Sequence, residues 1–169
     1  MPSPILRGLG THDQIAKGEV MLMIDRFKKL LPEIARIKRV VASEGGVYWE
    51  VYNDSGAKLG YAFCEKVPDS ALDIPEAEEF DTYEVFGIVD LDYKVAALRI
   101  VQHPDHPGDL WAEKIVEPEF GRQYLGLASD EIQLSPEGRI DGITEATISS
   151  RLITDTIKNK VEEIMAGSR

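Results

Sequence analysis

The sequence contains a single cysteine, Cys64, which excludes an internal disulfide and any metal site built from cysteines alone. Small and aromatic neighbours favour a buried, unreactive Cys64 thiol. Basic residues are also scarce: 19 Lys and Arg stand against 30 Asp and Glu, giving a net charge of −11 at pH 7. Nucleic acids and anionic lipids attract clusters of basic residues, so this charge argues against both as partners.

Long apolar runs are missing as well. No segment approaches the roughly 20 apolar residues of a membrane-spanning helix, and residues 1–17 lack the apolar region of a signal peptide. We therefore expect no direct membrane insertion by this chain. The sequence also lacks a phosphate-binding loop and a Gly-rich dinucleotide fingerprint. With 43% hydrophobic and 29% charged residues in 169, the composition is that of a globular protein with one core.

Residue periodicity predicts an α+β fold with antiparallel β meanders, an N-terminal helix and a C-terminal helix. A flexible N-terminus, residues 1–11, precedes a single domain, residues 12–169, with candidate subdomains at 36–80 and 82–167. The first helix spans about residues 12–34 and is expected to end near Pro32. Strands are predicted at about 37–42, 47–52, 59–67, 83–91 and 94–102. An acidic loop or short helix at 68–81, helical segments at 110–114 and 117–124, a short strand at 132–134 and a turn at 136–138 complete the pattern.

The most informative segment is residues 141–150, where four hydroxyl residues fall within seven positions: Thr144, Thr147, Ser149 and Ser150. A helical pattern follows at once, carried by Ile148, Leu152, Ile153, Thr156, Ile157, Val161, Ile164 and Met165. The hydroxyl cluster therefore lies at a helix start, where free N–H groups and the helix dipole suit a phosphate. Composition alone favours an ordinary N-cap over a phosphate site, although four hydroxyls exceed what one cap needs.

The same segment resembles the flavinylation motif of the FMN-binding domain family. This family includes the G subunit of Rnf complexes and the C subunit of sodium-pumping NADH:quinone reductases. Its motif reads Asp, two variable residues, Ser or Thr, usually Gly, then Ala-Thr, and that last Thr carries FMN through a phosphodiester bond. The resemblance implies that Thr147 carries covalent FMN. Glu145 departs from the usual Gly, and the flanking site residues are Asp141, Thr144, Glu145, Ala146, Ile148, Ser149, Ser150 and Arg151.

A second segment, residues 103–108, resembles the family's His-x-Glu-Thr-Pro-Gly sequence on the flavin side of the fold. It contributes His103, His106, Pro107 and Gly108, with Asp105 and His106 replacing the family's Glu and Thr. A Pro-Gly pair is typical of a turn. Trp111 follows closely and is a candidate to lie against the flavin.

The resemblance implies an electron-transfer flavoprotein domain, an Rnf-G-like or NqrC-like redox subunit of an ion-translocating membrane complex, not catalytic alone. It further implies a flavin transferase for maturation and other subunits as partners. The expected location is the extracytoplasmic face of the membrane if a native anchor was removed, and otherwise solution.

Several alternatives stay open. The chain is a non-flavinylated structural or sensory relative if Glu145 blocks attachment, or a soluble FMN-dependent reductase with its own substrate. His103 and His106 as metal ligands lack a convincing third ligand, so no metal site is predicted. A hydrolase built from Ser149, His103 and Asp105 lacks a nucleophile elbow.

Overall fold

The computed structural model describes residues 4–67, 83–102, 110–144 and 146–169, and the side chains of these ranges apart from 4–16 and 110–112. Helix α1 covers Pro4–Leu30, and strands β1 to β5 cover Arg36–Val41, Val47–Tyr52, Lys58–Lys66, Tyr83–Val89 and Val95–Gln102. Helices α2 (Leu110–Val116) and α3 (Pro118–Arg122), a 3-10 turn (Ser129–Glu131) and helix α4 (Thr147–Ser168) follow.

The five strands form one antiparallel sheet in the order β1-β2-β3-β4-β5. The predicted α+β class is thus confirmed. The two predicted meanders are neighbours in one sheet, because β3 pairs directly with β4. No break in the sheet marks the suggested subdomain boundary, and the division of the chain into subdomains stays a prediction.

Turn chemistry fixes where the strands end. Asn53 Oδ1 accepts hydrogen bonds from the backbone N–H groups of Ser55 and Ala57, at 3.0 and 2.9 Å, between β2 and β3. Asp90 Oδ1 does the same for Asp92 and Lys94, at 2.9 and 3.0 Å. Short polar side chains commonly bond the backbone in this way. Strand β4 therefore ends at Val89, two residues before the predicted end.

Helix α1 covers one face of the sheet. Its Met23 and Phe27 side chains join a buried cluster with Ile37, Trp49 and Val51, and the Phe27 and Trp49 rings lie 5.4 Å apart. The helix ends at Leu30, before Pro32, as predicted. It begins at Pro4 rather than near residue 12, because proline suits a first helical turn and adding residues to an existing helix is favourable. The expected flexibility of residues 1–11 stays a prediction.

Helices α2, α3 and α4 cover the opposite face. Four α4 residues, Ile153, Ile157, Val161 and Ile164, pack in a cluster with Tyr48, Tyr61 and Phe63 of the sheet and with Ile115 and Phe120 of the short helices. The helical pattern read from the sequence is thus mostly the buried face of α4, but Leu152 and Met165 are half-buried and Ile148 is 37% exposed. Among the described helices, none is long and apolar enough to cross a membrane.

For residues 132–138 the sequence predicted a short strand followed by a turn, and the structure has only the turn, at residues 135–139. The predicted strand at 132–134 is wrong: only Leu134 forms a bridge, a parallel one with Ile140, because the chain turns back at once through residues 135–139. This reversal confirms the turn predicted at 136–138. The predicted acidic loop at 68–81 lies outside the described residues.

Candidate functional site

Thr147 is the first residue of α4, as the motif predicted, and its side chain is exposed. The N-cap position belongs to Ala146, with φ −122° and ψ 40°, and no side-chain hydrogen bond caps the helix within the described part of the chain. The predicted ordinary cap by a Ser or Thr hydroxyl is therefore not what these residues form. Among the described residues, no side chain caps the backbone N–H groups of the first turn, where the positive end of the helix dipole lies.

A cavity of about 520 Å³ opens at this helix start. Its walls come from three segments: Gln133, Leu134, Ser135 and Glu137; Gly142, Ile143 and Thr144; and Thr147, Ser150, Arg151 and Asp155 of α4. Arg151 supplies one positive charge, and Glu137 and Asp155 supply two negative ones. The cavity thus offers hydroxyls, one guanidinium and a helix N-terminus in a single place.

Close packing forms one wall of the cavity. A side chain at Gly138 would place its Cβ 2.2 Å from the Gln133 carbonyl oxygen, so only glycine fits. The Gly138 N–H donates to the Leu134 carbonyl at 2.9 Å, and the Ile140 N–H donates to the Gln133 carbonyl at 3.0 Å. The wall is therefore a compact turn held by its own backbone.

Ser150 has a structural place in the motif. It is fully buried; its hydroxyl donates to the Ala146 carbonyl at 2.8 Å and accepts from the Ile143 N–H at 3.0 Å. These bonds join the first turn of α4 to the segment before it. The Ser150 hydroxyl already donates its proton to Ala146. A contribution of Ser150 to phosphate binding stays a prediction.

Two supporting residues carried no signal in the sequence. Gln123 pairs with the Asp141 backbone, accepting from its N–H at 2.7 Å and donating to its carbonyl at 3.1 Å. Tyr124 lies within 2.8 Å of the Thr154 hydroxyl, which donates to the Ser150 carbonyl at 2.7 Å. Since the Thr154 hydroxyl gives its proton to Ser150, the Tyr124 hydroxyl is the donor of this pair. Burial raises the pKa of Tyr124 above its ordinary value. No local sequence pattern predicts either contact, because the partners lie 18 and 30 residues apart in the chain.

The predicted site residues fall into three groups. Thr144, Thr147, Ser150 and Arg151 meet at the cavity. Asp141, Ala146, Ile148 and Ser149 flank it without lining it; Ala146 is buried, Ser149 half-buried, and the other two are exposed. Glu145, His103, Asp105, His106, Pro107, Gly108 and the side chain of Trp111 lie outside the described residues.

A second cavity, of about 600 Å³, lies between β5, the α2–α3 corner and the end of α1. Its wall includes Gln102, whose neighbour in sequence is His103, and Arg122, whose neighbour is Gln123. Within the described ranges, no group of three or more His, Cys, Asp or Glu side chains is arranged to hold a metal.

Comparison with known proteins identifies the half of the chain that contains this site. Residues 81–162 match the FMN-binding domain family. Over this range the chain is similar to FMN-binding domains, in agreement with the resemblance of its motifs. A relative from Methanosarcina acetivorans, the G subunit of an ion-translocating oxidoreductase complex, is 22% identical over 151 residues. That match covers 84% of this chain and 74% of the relative.

The residues at the start of α4 suit the phosphate end of FMN. A phosphate needs N–H donors and compensating positive charge, and the α4 start provides both through its uncapped backbone and Arg151. Thr147 and Thr144 place hydroxyl groups beside it. Residues 103–108, whose resemblance to the family implies a place on the flavin side of the fold, lie outside the described ranges, so that place stays a prediction.

Proposed function

We propose that this chain is an electron-transfer flavoprotein domain with FMN covalently attached to Thr147. The observation that carries the proposal is the place of Thr147: an exposed hydroxyl residue at the uncapped start of α4, lining a cavity, within the matched range 81–162. When bound, FMN supplies one- and two-electron redox chemistry, and the protein supplies its position and surroundings.

The attachment needs an activated donor. Joining FMN itself to a hydroxyl would release water, whereas FAD carries the same group activated as a pyrophosphate. In the proposed step, the Thr147 Oγ–phosphorus bond forms as the phosphorus–oxygen bond to AMP breaks. AMP leaves with the bonding electron pair, and the threonine proton passes to AMP or to water. A flavin transferase would catalyse this step as a separate partner.

The residues around Thr147 would stabilise the product. A phosphodiester keeps one negative charge, which the α4 dipole and the Arg151 guanidinium offset. Glu137 and Asp155, on the wall of the same cavity, oppose a second negative charge there. This charge balance favours a singly charged phosphodiester over a free phosphate monoester, which carries more negative charge at pH 7.

The relative's name points to the setting of the proposed reaction. It describes a subunit of an ion-translocating oxidoreductase complex. We infer that this domain exchanges electrons with other subunits of an Rnf-type or NqrC-containing complex, at the extracytoplasmic face of a membrane. A covalent tether removes the need for tight binding of the flavin, which would leave the ring open to electron partners.

Intact-mass measurement tests the proposal. The parent protein, treated with a flavin transferase and FAD, should gain the mass of one FMN less one water. Thr147→Ala should abolish the gain completely, because the accepting oxygen is gone. Thr144→Ala, which removes another exposed hydroxyl of the same motif on the cavity wall, is the matched control and should keep the gain.

Each other outcome has a definite meaning. A Thr147→Ala protein that still gains FMN would place the anchor elsewhere, with Thr144 the first residue to examine. A parent protein that gains no mass with an active transferase would contradict covalent attachment and favour a non-flavinylated relative. Yellow parent protein that loses its flavin on denaturation would favour a soluble FMN-dependent reductase.

A further inference from the structure

The segment before α4 is held at both ends by side chains outside it. We call residues 141–144 the attachment loop. At its start, the Gln123 amide forms a paired contact with the Asp141 backbone, at 2.7 and 3.1 Å. Near its end, the buried Ser150 hydroxyl accepts the Ile143 N–H at 3.0 Å. Directly after the second anchor, the Thr144 side chain is exposed.

The Gln123 anchor itself rests on a fixed base. Gln123 follows helix α3 directly, and its Nε2 also donates to the Phe120 carbonyl at 3.3 Å. Phe120 and Tyr124 are buried in the core, with their rings in edge contact at 5.7 Å. The amide of Gln123 uses both donor hydrogens and its oxygen on backbone groups, which fixes its orientation.

This pairing has a consequence for a modifying enzyme. Asp141 starts the motif that carries Thr147, and its side chain is exposed and free to be recognised. Without Gln123, nothing among the described contacts fixes the Asp141 backbone to α3. The loop would then populate several conformations, and a partner that needs one of them binds more weakly in proportion to its population.

We propose that Gln123 is a positioning residue for the transfer of FMN to Thr147. It holds the attachment loop in the form that the transferase recognises, and it does not touch the reacting atoms. The inference rests on the proposed function. Because the effect is on the population of the competent loop, loss of Gln123 should raise the KM of the transferase for this protein and leave kcat nearly unchanged.

The test measures transferase kinetics with the whole chain as substrate and FAD as donor. Gln123→Met keeps the length of the side chain and removes its hydrogen bonds. It should raise KM about tenfold, about the effect of losing the two neutral hydrogen bonds to Asp141. Glu119→Met changes an exposed residue of helix α3 and should leave both constants at the parent values.

A second variant guards against misfolding. Gln123→Glu keeps an acceptor for the Asp141 N–H and loses both donor bonds, so it should fold and still raise KM. Circular dichroism at the assay temperature confirms that each variant is folded. Hydrogen exchange at the Asp141 amide should be faster in Gln123→Met, while exchange at Ile143, held by Ser150, should change less.

The outcomes distinguish failure of the proposed flavinylation from failure of the positioning role of Gln123. A parent that is never flavinylated contradicts the proposed function itself. A flavinylated parent with folded Gln123 variants of unchanged KM contradicts only the positioning role. A fall in kcat at constant KM would also contradict it, since that result would require Gln123 to act in the chemical step.

Discussion

Thr147 and Ser150 are hydroxyl residues three positions apart in one motif, yet their surroundings give them different chemistry. Thr147 is exposed at the cavity, whereas Ser150 is fully buried and bonded to Ala146 and Ile143. The loop before α4 covers Ser150 closely: a Cβ at Gly142 would lie 3.4 Å from the Ser150 Cβ. A hydroxyl that accepts FMN must be accessible, and Thr147 is. A buried hydroxyl must have hydrogen-bond partners, and Ser150 has them.

Cys64 allows a prediction at the same scale. Burial, followed by the nearby Glu84 carboxylate, raises the pKa of its half-buried thiol to about 11. The thiolate is the reactive form, so its fraction at pH 8 should be roughly two orders of magnitude below that of an ordinary thiol. We expect slow alkylation by iodoacetamide at pH 8 and faster reaction as the pH approaches 11.

The control for Cys64 is the same protein in guanidinium chloride, where the thiol should react at an ordinary rate. Equal rates for folded and unfolded protein at pH 8 would contradict the prediction. The difference between the folded and unfolded pKa of Cys64 also determines how stability changes with pH. Since the folded thiol has the higher pKa, the free energy of unfolding should fall as the pH rises from about 8.5 towards 11.

At the scale of elements, α4 serves both the site and the core. Its first residue lies at the cavity, and its later turns cover the sheet. Lys160 links the helix to two strands: its Nζ lies 3.0 Å from the Glu65 carboxylate and donates to the Val47 carbonyl at 3.1 Å. It also lies 2.9 Å from Glu163, and its side chain is 7% exposed. These contacts fix the direction of α4, and with it the place of Thr147.

Lys160→Ala should therefore destabilise the protein by about 1–3 kcal/mol, because two carboxylates and a carbonyl lose their partner. Urea unfolding measures the loss. Lys158→Ala, on the same helix with no ion pair in the described structure, should stay within about 0.5 kcal/mol of the parent. Equal effects of the two substitutions would mean that the Lys160 ion pairs contribute little net stability.

At the scale of the whole molecule, one sheet lies between α1 and the group α2, α3 and α4, under a strongly acidic surface. A net charge of −11 makes the folded chain repel itself. Raising the salt concentration shortens the distance over which exposed charges interact, from about 30 Å at 0.01 M to about 8 Å at 0.15 M. Screening should therefore stabilise this protein.

We expect the melting temperature at pH 7 to rise by about 2–5 °C between these two salt concentrations. Near pH 5, close to the isoelectric point of about 4.7, the rise should nearly vanish because the net charge is small. Differential scanning calorimetry in NaCl and in tetramethylammonium chloride separates screening from binding of a specific ion. A melting temperature that falls with salt would show that attractive ion pairs, such as Lys58 with Glu50, outweigh the repulsion.

Sequence alone determined the features that depend on neighbouring residues. The strand Val47–Tyr52 was predicted with its observed bounds, because β-branched and aromatic residues between turn residues are a local signal. The start of α4 at the hydroxyl cluster and the end of α1 before Pro32 follow from helix periodicity and proline chemistry. The resemblance of residues 141–150 to a flavinylation motif also needed only the sequence.

Tertiary structure decided the features that depend on residues far apart in the chain. The pairing of β3 with β4 makes one sheet of two meanders, and no local pattern specifies that partner. Gln123 has no sequence signature as a support for Asp141, since a side-chain amide can pair with any backbone group that folding brings near. Ser150 and Thr147 look alike in sequence. Only the packing of residues 134–143 over the first turns of α4 buries one hydroxyl and leaves the other open to a partner.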